Sequence, residues 1–286
     1  MFEKMLVISE ISLHSEEVLK TLKGLYELGT RRCILLHCVN PYESNKPPYV
    51  NEFGDSIIKE NLAKQKIALE KSGFEVETRI VYGFVKKEIV RIADEEGLSL
   101  VVAKAEDHSM VGEIFFCGIA CDVLYHSNRP ILVIRVEEGS DEEVNLFEHV
   151  LFPTDFSQNA LVAFGYLKRM VHHGLKKITL VHIQDQAKID PHMLYKLDEF
   201  NEVDEKRLQS LKHELIELGA NEVDIQLIYG SPTAKILELI KSQNVSLVVM
   251  GRQGKGYVKE IFLGSLSNNI TRHSSCSMLL VPSKRI

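Results

Sequence analysis

Four residues in the second half of the chain, Gly251, Gly254, Gly264 and Ser265, stand at a spacing suited to holding an anion. They lie in Gly251-Arg-Gln-Gly254-Lys-Gly256-Tyr-Val-Lys-Glu-Ile-Phe-Leu-Gly264-Ser265. A glycine leaving a strand can turn sharply, and without a Cβ its N–H can come close to a phosphate oxygen. Ser265 suits the N-cap of a following helix, which would leave N–H groups and a hydroxyl facing an anion. Arg252 and Lys255 add positive charge. The plainer reading stays open: glycines that serve only turns and a helix cap. The spacing is neither the Walker pattern nor the dinucleotide G-x-G-x-x-G.

The elements that must carry this loop alternate between strand and helix. Residues 149–153 form a short apolar run closed by Pro-Thr-Asp, and 159–172 have helical spacing. Ala160, Ala163, Phe164, Leu167 and Val171 share one face of that helix, and Gly174 stops it. A strand over 177–183, a helix over 202–218 and a strand over 223–229 follow. A helix over 233–243 begins after Pro232, where proline is tolerated. A strand over 247–250, a helix over 265–273 and a strand over 278–281 complete the half. Strand cores nearly continuous in Val, Ile and Leu indicate parallel strands covered on both faces. The alternation predicts a doubly wound, five-stranded parallel α/β sheet with right-handed crossovers. In such sheets a ligand sits beyond the carboxyl ends of the strands, where the strand order reverses.

The chain also repeats itself. With Ser99-Leu100-Val101-Val102 laid over Ser246-Leu247-Val248-Val249, Val111-x-Glu113-Ile114-Phe115 falls on Val258-x-Glu260-Ile261-Phe262. His126-Ser127 then meets His273-Ser274, and Tyr82-Gly83 meets Tyr229-Gly230. At a slightly different offset Ile34-Leu35-Leu36-His37 follows the pattern of Thr179-Leu180-Val181-His182. An acidic stretch over 137–146 without an apolar cluster reads as a solvated linker. The expectation is two tandem domains, 1–136 and 147–286.

The pattern G-x2-G-x9-G-S after a fourth strand resembles the ATP-binding signature of the universal stress protein family, whose fold is like that of the adenine nucleotide alpha-hydrolases. The resemblance spans 147–286. Pro153-Thr154-Asp155-Phe156-Ser157 looks like the family's P-x-D-x-S segment. Leu180-Val181-His182-Ile183 resembles its apolar-His-apolar segment, and Gly230-Ser231-Pro232 its G-x-P. Carried over, the resemblance implies that Pro153, Thr154 and Asp155 lie near the nucleoside, with Asp155 on ribose or on Mg2+ bound with the nucleotide. Ile183 and Met250 would bracket the adenine. Gly251, Gly254, Gly264 and Ser265 would wrap the phosphates, with Leu266 and Ser267 extending the helix N-terminus. ATP, AMP and ADP all stay open as the ligand. Independently of the family, a carboxylate at a strand end facing a phosphate loop suits a ribose hydroxyl or Mg2+. The plainer role for Asp155 is capping the helix near Gln158. Similar proteins associate through the closing strand of each unit, here 131–136 and 278–281. The resemblance thus implies an internal pseudo-dimer and a homodimer of chains.

The first copy departs from the signature. Lys104 stands over Gly251, Asp107 over Gly254, Cys117 over Gly264 and Gly118 over Ser265. Glu10 replaces Asp155, and Ile8 replaces Pro153. Glu106 and Asp107 would repel phosphates, with Lys104 offsetting one of them. The first half is expected to keep the fold and bind no ATP. A shifted site on Gly112 and Gly118 is the alternative.

Bulk properties narrow the classes. The chain has 286 residues, 45% apolar and 26% charged, with a formal net charge of −6. That composition fits a soluble globular protein, and neither a nucleic acid nor a membrane partner is expected. No window is long and apolar enough to span a membrane, and MFEKMLVISE reads as a first strand, not a signal peptide. The five cysteines lack a CxxC pair, which suggests free thiols in a reducing, cytoplasmic setting. Cys117 and Cys121 share a helix face, yet without a partner histidine they read as buried small hydrophobes. A metal site at His172-His173 is not expected. His37 and His182 hold matching strand positions, which suits a structural role. The chemistry expected is therefore nucleotide binding and regulation through an unidentified protein partner. The rival is a slow ATP hydrolase or nucleotidyl transferase, for which Asp155 is the only motif carboxylate.

Overall fold

The computed structural model describes residues 2–9, 15–39, 52–105, 128–136, 145–185, 187, 197–254 and 264–283. The chain divides into two compact units, Met1–Val144 and Asn145–Ile286. Lys255, Glu10, Glu106, Asp107, Gly112, Cys117, Gly118 and Cys121 lie outside the described residues.

In the first unit the strands are β1 (Lys4–Ile8), β2 (Arg32–Val39), β3 (Glu75–Tyr82), β4 (Leu100–Lys104) and β5 (Ile131–Ile134). Its described helices are α1 (Ser15–Thr21), α2 (Lys23–Glu27), α3 (Glu52–Lys71) and α4 (Val85–Glu95). The second unit has β6 (Val150–Pro153), β7 (Lys177–Asp185), β8 (Glu222–Gly230), β9 (Leu247–Gly251) and β10 (Ser277–Val281). Its described helices are α5 (Gln158–His172), α6 (Leu197–Glu217), α7 (Pro232–Ser242) and α8 (Ser265–His273).

Within each unit the strands take the same order: β3-β2-β1-β4-β5 in the first and β8-β7-β6-β9-β10 in the second. All these neighbours pair in parallel. The central strands are buried along their length, as parallel strands covered on both faces must be. The chain order reverses between β1 and β4, and between β6 and β9. These are the positions where the carboxyl ends of neighbouring strands open a crevice.

The predicted apolar face of α5 is the buried one: Ala160, Ala163, Phe164, Leu167 and Val171, joined by Met170. The helix starts at Ser157, whose hydroxyl accepts from the Ala160 N–H at 3.2 Å. Asp155 is thus not the cap of this helix. The matching stretch of the first unit is broken into α1 and α2 at Leu22, with Gly24 just beyond the break. A glycine inside a helix weakens it by about 1 kcal/mol relative to alanine. Leu146, which the sequence counts in the linker, is fully buried and accepts a bond from the Ser246 hydroxyl. The order of the second unit therefore begins before its first strand.

Candidate functional site

The crevice of the second unit lies where β6 and β9 run side by side. Pro153 ends β6, and pairing continues one residue further through the Thr154 N–H to the Val181 carbonyl at 2.9 Å. The chain then turns sharply. The Thr154 hydroxyl accepts from the Phe156 N–H and an Asp155 carboxylate oxygen accepts from the Ser157 N–H, each at 3.0 Å. Phe156 sits between these turns with φ +57°. A bulky residue in the left-handed region costs about 1–3 kcal/mol and persists only where its surroundings hold it there.

Across the crevice β9 ends at Gly251. A Cβ on Gly251 would lie 3.1 Å from the Asn159 carbonyl oxygen, in the first turn of α5. At Gly254 a Cβ would lie 3.1 Å from the second Asp155 carboxylate oxygen. At Gly264 it would meet the Arg252 carbonyl oxygen at 3.3 Å. None of the three has a positive φ. Their part in the loop therefore does not rest on left-handed backbone. They are needed for close approach: strand to helix, loop to carboxylate, loop to loop.

The returning chain closes the site. The Gly264 N–H donates to the Arg252 carbonyl at 2.9 Å, and α8 begins at Ser265. Gly264, not Ser265, is the N-cap residue, and among the described residues no side chain caps the helix. The correction strengthens the anion-binding geometry, because the opening N–H groups of a helix have no partner inside it. Ser265 is exposed and Leu266 half-buried, whereas Ser267 is buried and donates its hydroxyl to the Gly251 carbonyl at 3.0 Å. Ser267 thus ties α8 to the end of β9. Arg252 is buried, with its N–H on the Val281 carbonyl at 2.7 Å. Met250 is buried at the end of β9, and Ile183 is half-buried near the end of β7.

Of the predicted residues, the structure brings together Asp155 and Gly254, Arg252 and Gly264, and Ser267 and Gly251. It adds contacts that the motifs do not specify, and one residue outside them, Asp204. His182 on β7 donates from Nδ1 to the Thr154 carbonyl at 2.7 Å, and its Nε2 lies 3.4 Å from an Asp204 oxygen on α6. The Phe156 ring packs on the His182 ring at 4.7 Å between centroids. The only hint in the sequence is the histidine inside an apolar strand; nothing there points to Asp204.

The first unit is built differently at the matching place. The Ser9 N–H donates to the Leu36 carbonyl at 2.7 Å, and His37 donates from Nδ1 to the Ser9 carbonyl at 3.0 Å. The Ser9 hydroxyl, however, meets the Gln65 side chain at 2.8 Å. Lys104, where the other unit has Gly251, ends β4. Burial pushes the Cys33 and Cys38 thiols up to about 12, with Glu88 adding to the effect at Cys38. Neither is a thiolate nucleophile at neutral pH. Among the described residues no group of three or more His, Cys, Asp and Glu is placed to hold a metal ion. No described helix is long and apolar enough to cross a membrane.

The family model described as the universal stress protein family matches residues 1–135 and again 146–282. The chain belongs to the universal stress protein family. It carries two of the family's domains in tandem. The universal stress protein MJ0577 of Methanocaldococcus jannaschii is 28% identical over 158 residues, covering 49% of this chain and 97% of its own. A putative universal stress protein of Staphylococcus haemolyticus is 26% identical over 144 residues, covering 49% of this chain and 87% of its own. A universal stress protein of Archaeoglobus fulgidus shares the fold along the chain, with a TM-score of 0.74 at 21% identity, covering 99% of this chain and 100% of that one.

Proposed function

We propose that the second unit binds an adenine nucleotide, ATP or AMP with ADP as a further candidate, and that the chain is a regulatory binding module. One observation carries this reading: the Asp155 carboxylate faces Gly254 beside a helix that opens at a glycine, Gly264, with no side chain of its own to cap it. Backbone N–H groups at that terminus suit phosphate oxygens, and a carboxylate across the crevice suits a ribose hydroxyl or a magnesium ion carried with the phosphates. Ile183 and Met250, at the ends of the flanking strands, offer apolar surface to a base. The universal stress protein resemblance supports the same assignment, as does the retained glycine spacing. A reducing cytoplasmic setting suits the free thiols of Cys33, Cys38 and Cys276.

Mass spectrometry of small molecules co-purifying with the chain tests the reading. An adenine nucleotide retained by the wild type and lost in Gly254→Asp supports it; no nucleotide, and no ATP binding by calorimetry, overturns it. Turnover separates a binding module from an enzyme. Steady ATP hydrolysis near a typical ~10 s⁻¹, abolished in Asp155→Ala, would make the chain a hydrolase instead.

A further inference from the structure

Among the described residues, Asp155 is the side chain that comes up to Gly254 of the glycine loop, and its two neighbours in the chain are gripped by the same imidazole. The residue before it, Thr154, receives the Nδ1–H of His182 on its carbonyl at 2.7 Å. The residue after it, Phe156, lays its ring on the His182 ring at 4.7 Å. His182 is in turn held from behind. Its Nε2 lies 3.4 Å from Asp204, and the side-chain exposures of the two are only 12% and 15%. Asp204 also receives the Gln184 amide at 3.2 Å and the Arg207 guanidinium at 3.2 Å. That guanidinium stands 5.4 Å from the centre of the Phe156 ring, closing the circuit on its other side.

Phe156 explains why such a holder is needed. Its φ of +57° is a conformation that a bulky side chain avoids, and it bends the chain so that Asp155 points at Gly254. A strained turn of this kind relaxes unless packing and hydrogen bonds hold both of its sides. The holder is specific to this half. Aligned on their closing glycines, Gly73 and Gly219, helices α3 and α6 place Ile58 at the position of Asp204 and Asn61 at that of Arg207. At the strand end Ile11 stands at the position of Phe156. The histidine itself is kept as His37, still bonded to the carbonyl of Ser9.

We propose that His182, oriented by Asp204, is a positioning residue that holds Asp155 against the glycine loop, so that Asp204 sets nucleotide affinity without touching the nucleotide. This rests on the nucleotide reading of the second unit. Coupling between sites distinguishes a residue acting through Asp155 from one that merely stabilises the fold.

The test is calorimetric titration of the full chain with ATP and magnesium in four forms: wild type, Asp204→Ile, Asp155→Asn and the double variant. Asp204→Ile weakens binding about tenfold in the wild-type background and less than about twofold once Asp155 is already changed. Asp204→Ala carries the same comparison should the isoleucine chain fail to fold. Equal losses in both backgrounds, or no loss at all, overturn the proposal and leave nucleotide binding standing. Absence of ATP binding by the wild type overturns the nucleotide reading and the positioning role together.

Discussion

The two units share a strand order, a histidine on the second strand and a carbonyl for it to bond, yet among the described residues only the second places a carboxylate beside that histidine. In the first, the strand-end hydroxyl of Ser9 is taken by Gln65. In the second, the strand-end hydroxyl of Thr154 serves the turn that presents Asp155. The difference teaches that the β-sheet and the site are separately encoded. The sheet needs only apolar strands and stop signals, which both halves have. The site needs glycines where backbones touch and a carboxylate where the loop passes, which one half has.

The sharpest way to break the comparison is Gly254→Asp, which writes the first half's Asp107 into the second. Its Cβ would lie 3.1 Å from an Asp155 oxygen, bringing a second carboxylate to the place proposed for phosphates. ATP affinity by calorimetry is expected to fall about 100-fold, or nearly 3 kcal/mol. Because the first half is expected to bind none, no other ATP site should appear. Binding within threefold of wild type would sink the assignment of the loop.

Gly251→Ala examines the closest backbone approach. The added methyl meets the Asn159 carbonyl at 3.1 Å, and overpacking of that kind costs about 1–3 kcal/mol. Thermal melting should show the loss even without nucleotide; an unchanged melting temperature would mean that α5 yields freely. Ser267→Ala removes a buried hydroxyl and orphans part of the Gly251 carbonyl, an expected cost of about 1 kcal/mol. The same melting experiment reads it, and a neutral result would show that α8 is held by its packing alone.

The smallest effect concerns His37. Burial holds its imidazole below the ordinary histidine range, with the Ser9 carbonyl opposing in part. As pH falls through that range the unfolded chain takes up the proton first, so this contribution to stability is present above it and lost below it. Hydrogen exchange of β2 amides, corrected for intrinsic rates, should show slightly faster opening at about pH 5.5 than at pH 7. His37→Asn should flatten that slope; an equal slope in both chains would assign it elsewhere.

Much of this architecture is written in local patterns. The apolar runs of β6, β7 and β9 and the face of α5 follow from residue type and period, and their predicted ends lie within a residue or two. The start of α6 lies further from the predicted one: Phe200 and Val203 follow Leu197 at steps of three, but both are exposed and mark no buried face. The motif residues were legible as a spacing but not as a geometry. Three glycines lie where the chain comes close to itself, without positive φ, and Ser265 sits one residue inside the helix it was expected to cap. Asp204 was invisible because its partner His182 lies on another element. Phe156 was invisible because no residue type announces a left-handed phenylalanine.

The contact between Gly251 and the carbonyl of Asn159 has a consequence for descent. The first half has Lys104 at the matching strand end, and a side chain there could not accept a backbone as near as Asn159 is to Gly251. Lys104→Gly should add no second nucleotide to the chain by titration; a second equivalent would show that the door had stayed open. On that reading, a duplicated domain that acquires a lysine at this position does not return to nucleotide binding by one substitution.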